Sequence, residues 1–340
     1  MIHGRSRRFR TLRPTCGLPF VFRNCILRSG KSAHVRRRAS GGPIRRHIFC
    51  AFSAERESTF TRIPMDTLSP SERYLQDFHE RVAGATSAAF AGFAARTTSR
   101  EYRSSYDVLA SIALETSRPR TVLDVACGDG HLLRLLADRS RQLRLIGVDM
   151  CQRELDLARA ALPGHVLLLR ERAQEMSIDT GSVDIVLSHM ALMLMDEIEQ
   201  VLREIRRVLA PGGVLAAMVG RSFLLGEVNE IFVDIFKPIA KEDRLPPPFG
   251  DRRTGTVDGW ADLLETDFDD LDFDDVDVPW RPAPHELWRA LVETYHIDRL
   301  SSDARRRLED RLIPAVSRLQ DRDGTIHTGW GLRLVRARAR

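Results

Sequence analysis

No two cysteines of this 340-residue chain stand in C-x-x-C spacing; Cys16, Cys25, Cys50, Cys127 and Cys151 are scattered. Neither a zinc knuckle nor a disulfide framework is supported, no metal is expected, and a cytoplasmic, reducing compartment fits best. Long apolar runs are missing too. No window approaches the roughly 18 continuous apolar residues of a membrane-crossing helix. The stretch CGLPFVFRNCIL at 16 to 27 is broken by Arg23, which also makes it a poor signal-peptide core. Acid is scarce at one end only. Residues 1 to 64 hold 15 Lys and Arg beside Glu55 and Glu57, whereas 65 to 340 hold 37 basic and 45 acidic side chains. The formal net charge of +5 therefore arises at the start of the chain, and the acidic body argues against nucleic acid or an anionic membrane as partner.

What is present divides into three parts. A basic extension, 1 to 64, has no helical or strand period and reads as disordered, either a transit-like leader or a stretch ahead of a true start at Met65. An N-terminal helical cap is expected over 65 to 118. Ser69 as N-cap, Pro70 at the first helical position and Glu72 three residues after the cap form a capping box, and helical spacing, broken around Gly84 and Gly92, runs through SYDVLASIALE before stopping ahead of Pro119. From 119 to 340 strands and helices alternate. TVLDVA, LRLIGVD, HVLLL, VDIVLS and VLAAMV read as strands with helices between them, the pattern of a doubly wound α/β sheet covered on both faces. At about 221 to 258 an apolar helical stretch and a Pro-rich loop suggest a lid. DDLDFDDVDV alternates like a half-exposed strand whose aspartates protect it from pairing with other chains, two helical patterns follow at 283 to 296 and 301 to 320, and GTIHTGWGLRLVRA offers a last strand. The terminal RLVRARAR reads as a solvated, frayed end.

The most informative stretch is VLDVACGDGHLL, 122 to 133: a buried strand with an aspartate inside it, then Gly128 and Gly130 opening a helix. Glycines there let a ligand meet bare backbone and the free N–H groups of a helix N-terminus. A dinucleotide site adds a third glycine for helix packing, but Leu133 stands in that place. Asp124 is a carboxylate inside an apolar strand, which is costly unless a cation faces it.

These residues resemble motif I of the class I S-adenosylmethionine-dependent methyltransferases (the methyltransferase-11/25-like domain). Further elements resemble the family in the same order: LIGVDMC ending in Asp149, SVDIVLSHMALMLM ending its strand at Ser188, and REIRRVLAPGGVL. The resemblance is strong over about 100 to 220, weak over 255 to 338 and absent from 1 to 64. It implies a Rossmann-like, seven-stranded, mostly parallel sheet whose last strand inserts antiparallel beside the sixth. It also implies S-adenosylmethionine as cofactor and a small-molecule methyl acceptor as partner, the methyl moving to an O, N or C nucleophile by in-line displacement. Cofactor contacts are then expected from Asp124, Ala126, Gly128, Asp129, Gly130, Asp149, Met150, Ala173, Gln174 and Ser188, with Asp149 receiving the ribose hydroxyls. The sequence departs from the family after the third strand, where Glu171, Arg172 and Ala173 replace a segment bearing an adenine-binding acid. Either Glu171 or Glu175 substitutes, or Ala173 and Gln174 bind adenine through their backbone.

Each assignment has a plainer counterpart. Asp124 can cap the turn and Asp149 can be a solvated strand-end acid. His189 is a candidate general base for a hydroxyl acceptor or a satisfied local histidine; Met190, Met193 and Met195 are soft pocket lining or core filler. Tyr102 and Tyr106 close over the methionine end of the cofactor or simply pack, Trp260, Trp280 and Trp288 line the lid or pack it, and Cys127 and Cys151 read as small apolar fillers. Two other functions remain open at this stage, an NAD(P)-binding Rossmann oxidoreductase and a non-catalytic binding module of methyltransferase fold.

Overall fold

Ser69 begins the first described helix as its spacing predicts. Its hydroxyl accepts from the Glu72 N–H at 3.1 Å, and its own N–H donates to Glu72 Oε2 at 2.8 Å, closing the capping box of α1 (Pro70–Arg81). The computed structural model describes residues 68–115 and 120–340. The basic extension 1 to 64, the start-site question at Met65 and the stop before Pro119 lie outside the described residues. Among those described, no helix is long and apolar enough to cross a membrane.

After α1 come α2 (Ala85–Phe90), β1 (Ala95–Arg96), β2 (Glu101–Tyr102) and α3 (Ser105–Ala113). The alternating part follows: β3 (Arg120–Val125), α4 (His131–Arg139), β4 (Leu143–Asp149), α5 (Gln152–Ala161), β5 (Leu167–Arg170), β6 (Val183–His189), α6 (Ile198–Val208) and β7 (Leu209–Ser222). The remainder is α7 (Glu227–Glu242), α8 (Val257–Leu264), β8 (Phe268–Trp280), α9 (Pro284–Val292), α10 (Tyr295–Asp298), α11 (Ser302–Ser317) and β9 (Thr328–Ala339).

The strands form a single mixed sheet in the order β2-β1-β8-β9-β7-β6-β3-β4-β5. Five neighbours, β7 through β5 in that order, are parallel, and β9 runs antiparallel between β7 and β8. The inserted last strand is as expected, but the sheet has nine strands, not seven. The extra pair, β1 and β2, follows Gly92 within the N-terminal cap expected to be helical, and joins the edge through Arg96 opposite Asp277.

Period-2 alternation divides the sheet residues between two layers. Leu123 and Val125 of β3 pack with Val201, Ile205 and the α8 residue Trp260 on one face. Val122 packs with Leu109 of α3 and Leu133 and Leu136 of α4 on the other. A separate helical cluster joins α7 to α9 and α11 around Phe232, Leu287 and Leu308. The stretch expected as a lid thus spends α7 on this cluster, and its loop reaches toward α1 only at Phe249, stacked on Tyr74 with centroids 5.3 Å apart.

The basic terminus is not frayed. Residues 328 to 339 are β9, flanked on both sides, and Arg333, Arg338 and Arg340 pair with Asp275, Asp270 and Asp269 of β8. The acids of DDLDFDDVDV and the arginines of RLVRARAR are cross-strand partners. Exposed pairs of this kind each contribute little, but together they fix which strand β8 accepts.

Candidate functional site

β3 and β4 run in parallel register, Asp124 beside Gly147 and Val125 beside Val148. Both therefore end on the carboxyl edge of the sheet, where α/β folds open a crevice. The chain leaves β3 through a sharp bend, with φ of 57° at Ala126, 54° at Gly128 and 76° at Gly130. Left-handed backbone is strained for alanine, and Met190, directly after β6, shares it at 57°. Ala126 and Met190 line the same cavity, so the strain sits where the two central strands present backbone to a ligand.

Asp149 at the end of β4 pins this bend. Its Oδ2 accepts the Gly128 N–H at 2.9 Å and its Oδ1 accepts the Cys151 N–H at 2.8 Å. A carboxylate has about four lone-pair sites, so each oxygen keeps capacity for another donor. Burial raises its proton affinity, and these two backbone bonds oppose that rise. Asp124 is 2% exposed, and its carboxyl is pushed well above the usual range, first by burial and then by the neighbouring Asp149 and Asp129. Asp129 accepts the Ser87 hydroxyl at 2.5 Å and the His131 N–H at 3.3 Å, tying the bend to α2 and α4.

Not every expected contact residue reaches the cavity. Asp124, Ala126, Gly128, Asp129, Asp149, Met150, Ala173 and Gln174 line it; Gly130 and Ser188 do not. The Ser188 hydroxyl donates to the Val125 carbonyl at 2.9 Å, tying β6 to β3. Gly130 is a packing glycine. A Cβ there would lie 2.8 Å from Leu162 Cδ1 and 3.0 Å from Ala158 Cβ, at a φ that L residues resist. Gly130→Ala is expected to cost about 1–3 kcal/mol through strain between α4 and α5, read as a lowered melting temperature; an unchanged melting temperature contradicts this packing role.

The departure after β5 has a structural reason. Arg172 donates its Nε and Nη2 to Glu72 Oε1 at 2.9 and 2.7 Å, and Gln174 Nε2 donates to the same oxygen at 3.1 Å. The segment thus holds α1 over the cavity. Glu171 also lines it, accepting from the N–H and hydroxyl of Ser177, whereas Glu175 is not part of the lining.

His189 lines the wall in a way that corrects its expected role. Its ring stacks on Tyr106 at 3.7 Å and 18°, its Nε2 lies 2.8 Å from Ser105 Oγ, and its Nδ1 is buried without a hydrogen-bond partner. Burial, then the His131 charge, push it down to about 3. A side chain that sheds its proton so readily is a poor general base at neutral pH. Tyr106 lines the cavity and Tyr102 does not; Met190 and Met195 line it, while Met193 packs against the core. Trp260 donates to Thr254 O at 2.8 Å inside the core, Trp288 belongs to the helical cluster, and Trp280 meets Phe93 edge-on. Cys127 and Cys151 are buried in the wall, and burial lifts both thiols, Cys151 to about 12, which disfavours the nucleophilic thiolate at each.

Several lining residues had no motif to announce them. Glu72 shows in sequence only as a helix cap. Glu154, in the first turn of α5, accepts the Gly84 N–H, with each carboxylate oxygen 3.0 Å from the nitrogen. His79 and Tyr295 lie 216 residues apart in the chain and 2.8 Å apart in space. Together the wall carries six carboxylates, from Glu72, Asp124, Asp129, Asp149, Glu154 and Glu171. Against them, among the described residues, stands one guanidinium, Arg172, already paired with Glu72. Such a cavity favours a cation and disfavours an anion.

Comparison with known proteins agrees with this geometry. Residues 123–217 match the family model described as a methyltransferase domain. The chain is 37% identical over 166 residues to an uncharacterized methyltransferase of Mycobacterium tuberculosis, covering 48% of this chain and 66% of that one. It is 32% identical over 127 residues to a trans-aconitate 2-methyltransferase of Azoarcus sp., covering 36% of this chain and 46% of that one. The matched segment thus spans just under two thirds of the first relative and less than half of the second. Among solved structures, a candidate type II methyltransferase of Anaeromyxobacter dehalogenans superposes with a TM-score of 0.51 at 20% identity, covering 68% of this chain and 94% of that one, a likeness of fold.

Proposed function

Given that this chain carries a class I S-adenosylmethionine-dependent methyltransferase domain, we propose that it transfers a methyl group from S-adenosylmethionine to a small-molecule acceptor. The observation that carries this reading is the crowding of Asp124, Asp129 and Asp149 around a bend that bears no side chain at Gly128. Buried together, these acids raise the proton affinity of Asp124 well above the usual carboxyl range, first through burial and then through Asp149 and Asp129, and a positive charge beside them would relieve that cost. S-adenosylmethionine brings two, on sulfur and on its α-amino group, against one negative charge on its own carboxylate, and it has no phosphate for the acidic wall to repel.

The residues present fit that group. Asp149 has free acceptor capacity on both oxygens for a pair of ribose hydroxyls, and Met150, Ala173 and Gln174 line the same cavity. When bound, the cofactor supplies an activated methyl carbon on a positively charged sulfur. The chain's own work is to bind, orient and exclude water. α1, held down by Glu72–Arg172 and by Ser69 bonded to Asp196 at 2.5 Å, roofs the cavity. Tyr106, His189, Met190 and Met195 give it a soft wall in which acceptor and methyl carbon are held in near-attack geometry. The neutral His189, with Nδ1 unpartnered, offers the acceptor one polar contact.

No residue of 221 to 258 lines the cavity, so the roof is assigned to α1 and α2, and Phe249 of that stretch stacks on Tyr74 of α1. Trans-aconitate is the acceptor named for one relative. Here, among the described lining residues, no unpaired guanidinium or ammonium is available for a tricarboxylate, which argues against carrying that acceptor over.

An oxidoreductase reading fares worse on two counts: the acidic wall opposes a pyrophosphate, and Leu133 is fully buried where a third glycine would stand. Isothermal titration calorimetry separates the two. Binding of S-adenosylhomocysteine without binding of NADH is expected; the reverse, with protein shown by circular dichroism to be folded, contradicts the proposal. Methyl transfer to an acceptor separates an enzyme from a binding module.

A further inference from the structure

His79, in the last turn of α1, stands between a carboxylate and a phenol, and all three side chains line the cavity. Its Nδ1 lies 2.7 Å from Glu154 Oε1 and its Nε2 lies 2.8 Å from the Tyr295 hydroxyl. Against an ionised Glu154, which can only accept, a neutral ring places its proton on Nδ1 and turns its Nε2 lone pair to the phenol. Glu154 is 2% exposed and is fixed by the Gly84 N–H, so it cannot swing away. Tyr295 is clamped by Phe78, edge-on at 4.7 Å, and by Phe249, edge-on at 6.0 Å. Carboxylate, imidazole and hydroxyl in that order form the array in which the imidazole takes the hydroxyl's own proton; a group hydrogen-bonded to that hydroxyl can pass its proton on in turn. The other histidine of the wall, His189, has no acid partner.

We infer that Glu154, His79 and Tyr295 form a proton relay for the methyl transfer, and that the acceptor is a neutral hydroxyl compound of phenol type, not a carboxylate. This rests on the methyltransferase reading above and adds an acceptor class to it. As the acceptor oxygen forms its bond to the methyl carbon, the sulfur keeps the electron pair of the broken C–S bond. The acceptor's proton passes to Tyr295 Oη while the Tyr295 proton passes to His79 Nε2, and Glu154 balances the imidazolium charge. A carboxylate acceptor needs no such relay, and the six acids of the wall repel it. Tyr295 touches the acceptor and is the catalytic residue; His79 and Glu154 act through it.

The test uses the full chain with S-adenosylmethionine and three acceptors: 4-methylphenol, un-ionised at neutral pH; 4-nitrophenol, assayed at a pH where it is ionised; and trans-aconitate. S-adenosylhomocysteine release is the readout. The wild type is expected to turn over 4-methylphenol, to turn over the singly charged 4-nitrophenolate with a higher KM because the acidic wall disfavours its charge, and not to turn over the triply charged trans-aconitate. Tyr295→Phe and His79→Gln are each expected to lower kcat for 4-methylphenol about 100-fold or more, the scale of general base catalysis, and to leave turnover of 4-nitrophenolate within a few-fold. Calorimetry with S-adenosylhomocysteine shows whether the variants remain folded and loaded. Equal losses on both phenols, no loss on either, turnover of trans-aconitate alone, or no turnover of any phenol by a wild type that binds S-adenosylhomocysteine would each overturn the relay while leaving the cofactor reading intact. A wild type that does not bind S-adenosylhomocysteine overturns the cofactor reading itself.

Discussion

Asp149→Ala is expected to weaken S-adenosylhomocysteine binding about 100-fold or more. Hydrogen bonds to a charged partner contribute on the order of 1.5–3 kcal/mol each, and the substitution removes acceptors for two hydroxyls, at about 1.4 kcal/mol per tenfold in affinity. It also releases the Gly128 and Cys151 N–H groups, which Asp149 holds at 2.9 and 2.8 Å, so the bend that receives the ligand loses its tether. Asp149→Asn keeps the shape and one acceptor, and should lie between wild type and alanine. Calorimetry of the three proteins checks the order; equal affinities contradict the assignment of Asp149 to the nucleoside.

Asp124→Asn is expected to move stability and affinity in opposite directions. Folding raises the proton affinity of this carboxyl above that of an unfolded chain. The group's contribution to stability is therefore complete below about pH 3.9, the unfolded value. It is lost as pH rises from there through the raised folded value, because the unfolded chain ionises freely while the native state holds the proton on a buried acid. Asparagine has no such cost. At neutral pH the ligand-free variant should melt above the wild type, by about 2–4 °C for each kcal/mol relieved, with the gap closing toward about pH 4. S-adenosylmethionine should nonetheless bind the variant about tenfold or more weakly, since about 1.4 kcal/mol of lost charge pairing suffices for that. S-adenosylhomocysteine, with one positive charge fewer, should lose less. Thermal denaturation across pH with paired titrations measures both; a variant that is less stable and binds both ligands equally well contradicts a cation-seeking role for Asp124.

Much of the scaffold was legible because its signals are local and periodic. The Ser69–Glu72 box, the strand-turn-helix at VLDVACGDGHLL and the apolar face of α6 each depend on residues within one or two turns of each other. The inserted last strand was legible through family resemblance. The two-residue strands β1 and β2 were not, since two residues carry no period. The terminal arginines were misread for a related reason: taken alone RLVRARAR is a basic tail, and only the pairing of β9 with the aspartates of β8 turns it into an interior strand.

Within the site, the acids on the strand ends were foreseen because α/β topology puts them on one edge. Gly130 and Ser188 sit in the right motifs but spend themselves on packing and on Val125 O, a distinction of direction that spacing does not encode. Arg172 looked like a defect until α1 was seen to dock on it. Glu154, His79 and Tyr295 come from three helices, α5, α1 and α10, and their meeting depends on how those helices pack. Proton-handling groups of that kind are the part of a site least written in any one stretch of chain.

If the carboxyl ends of β3 and β4 cradle the nucleoside of the methyl donor, a crystal structure of the chain grown with S-adenosylhomocysteine will show it. Ribose hydroxyls are expected within hydrogen-bonding distance of Asp149 Oδ1 and Oδ2, the amino-acid end over the Ala126–Gly128 bend, and α1 closed by Glu72 and Arg172. Density for the ligand elsewhere on the protein, or a ribose turned away from Asp149, would contradict it.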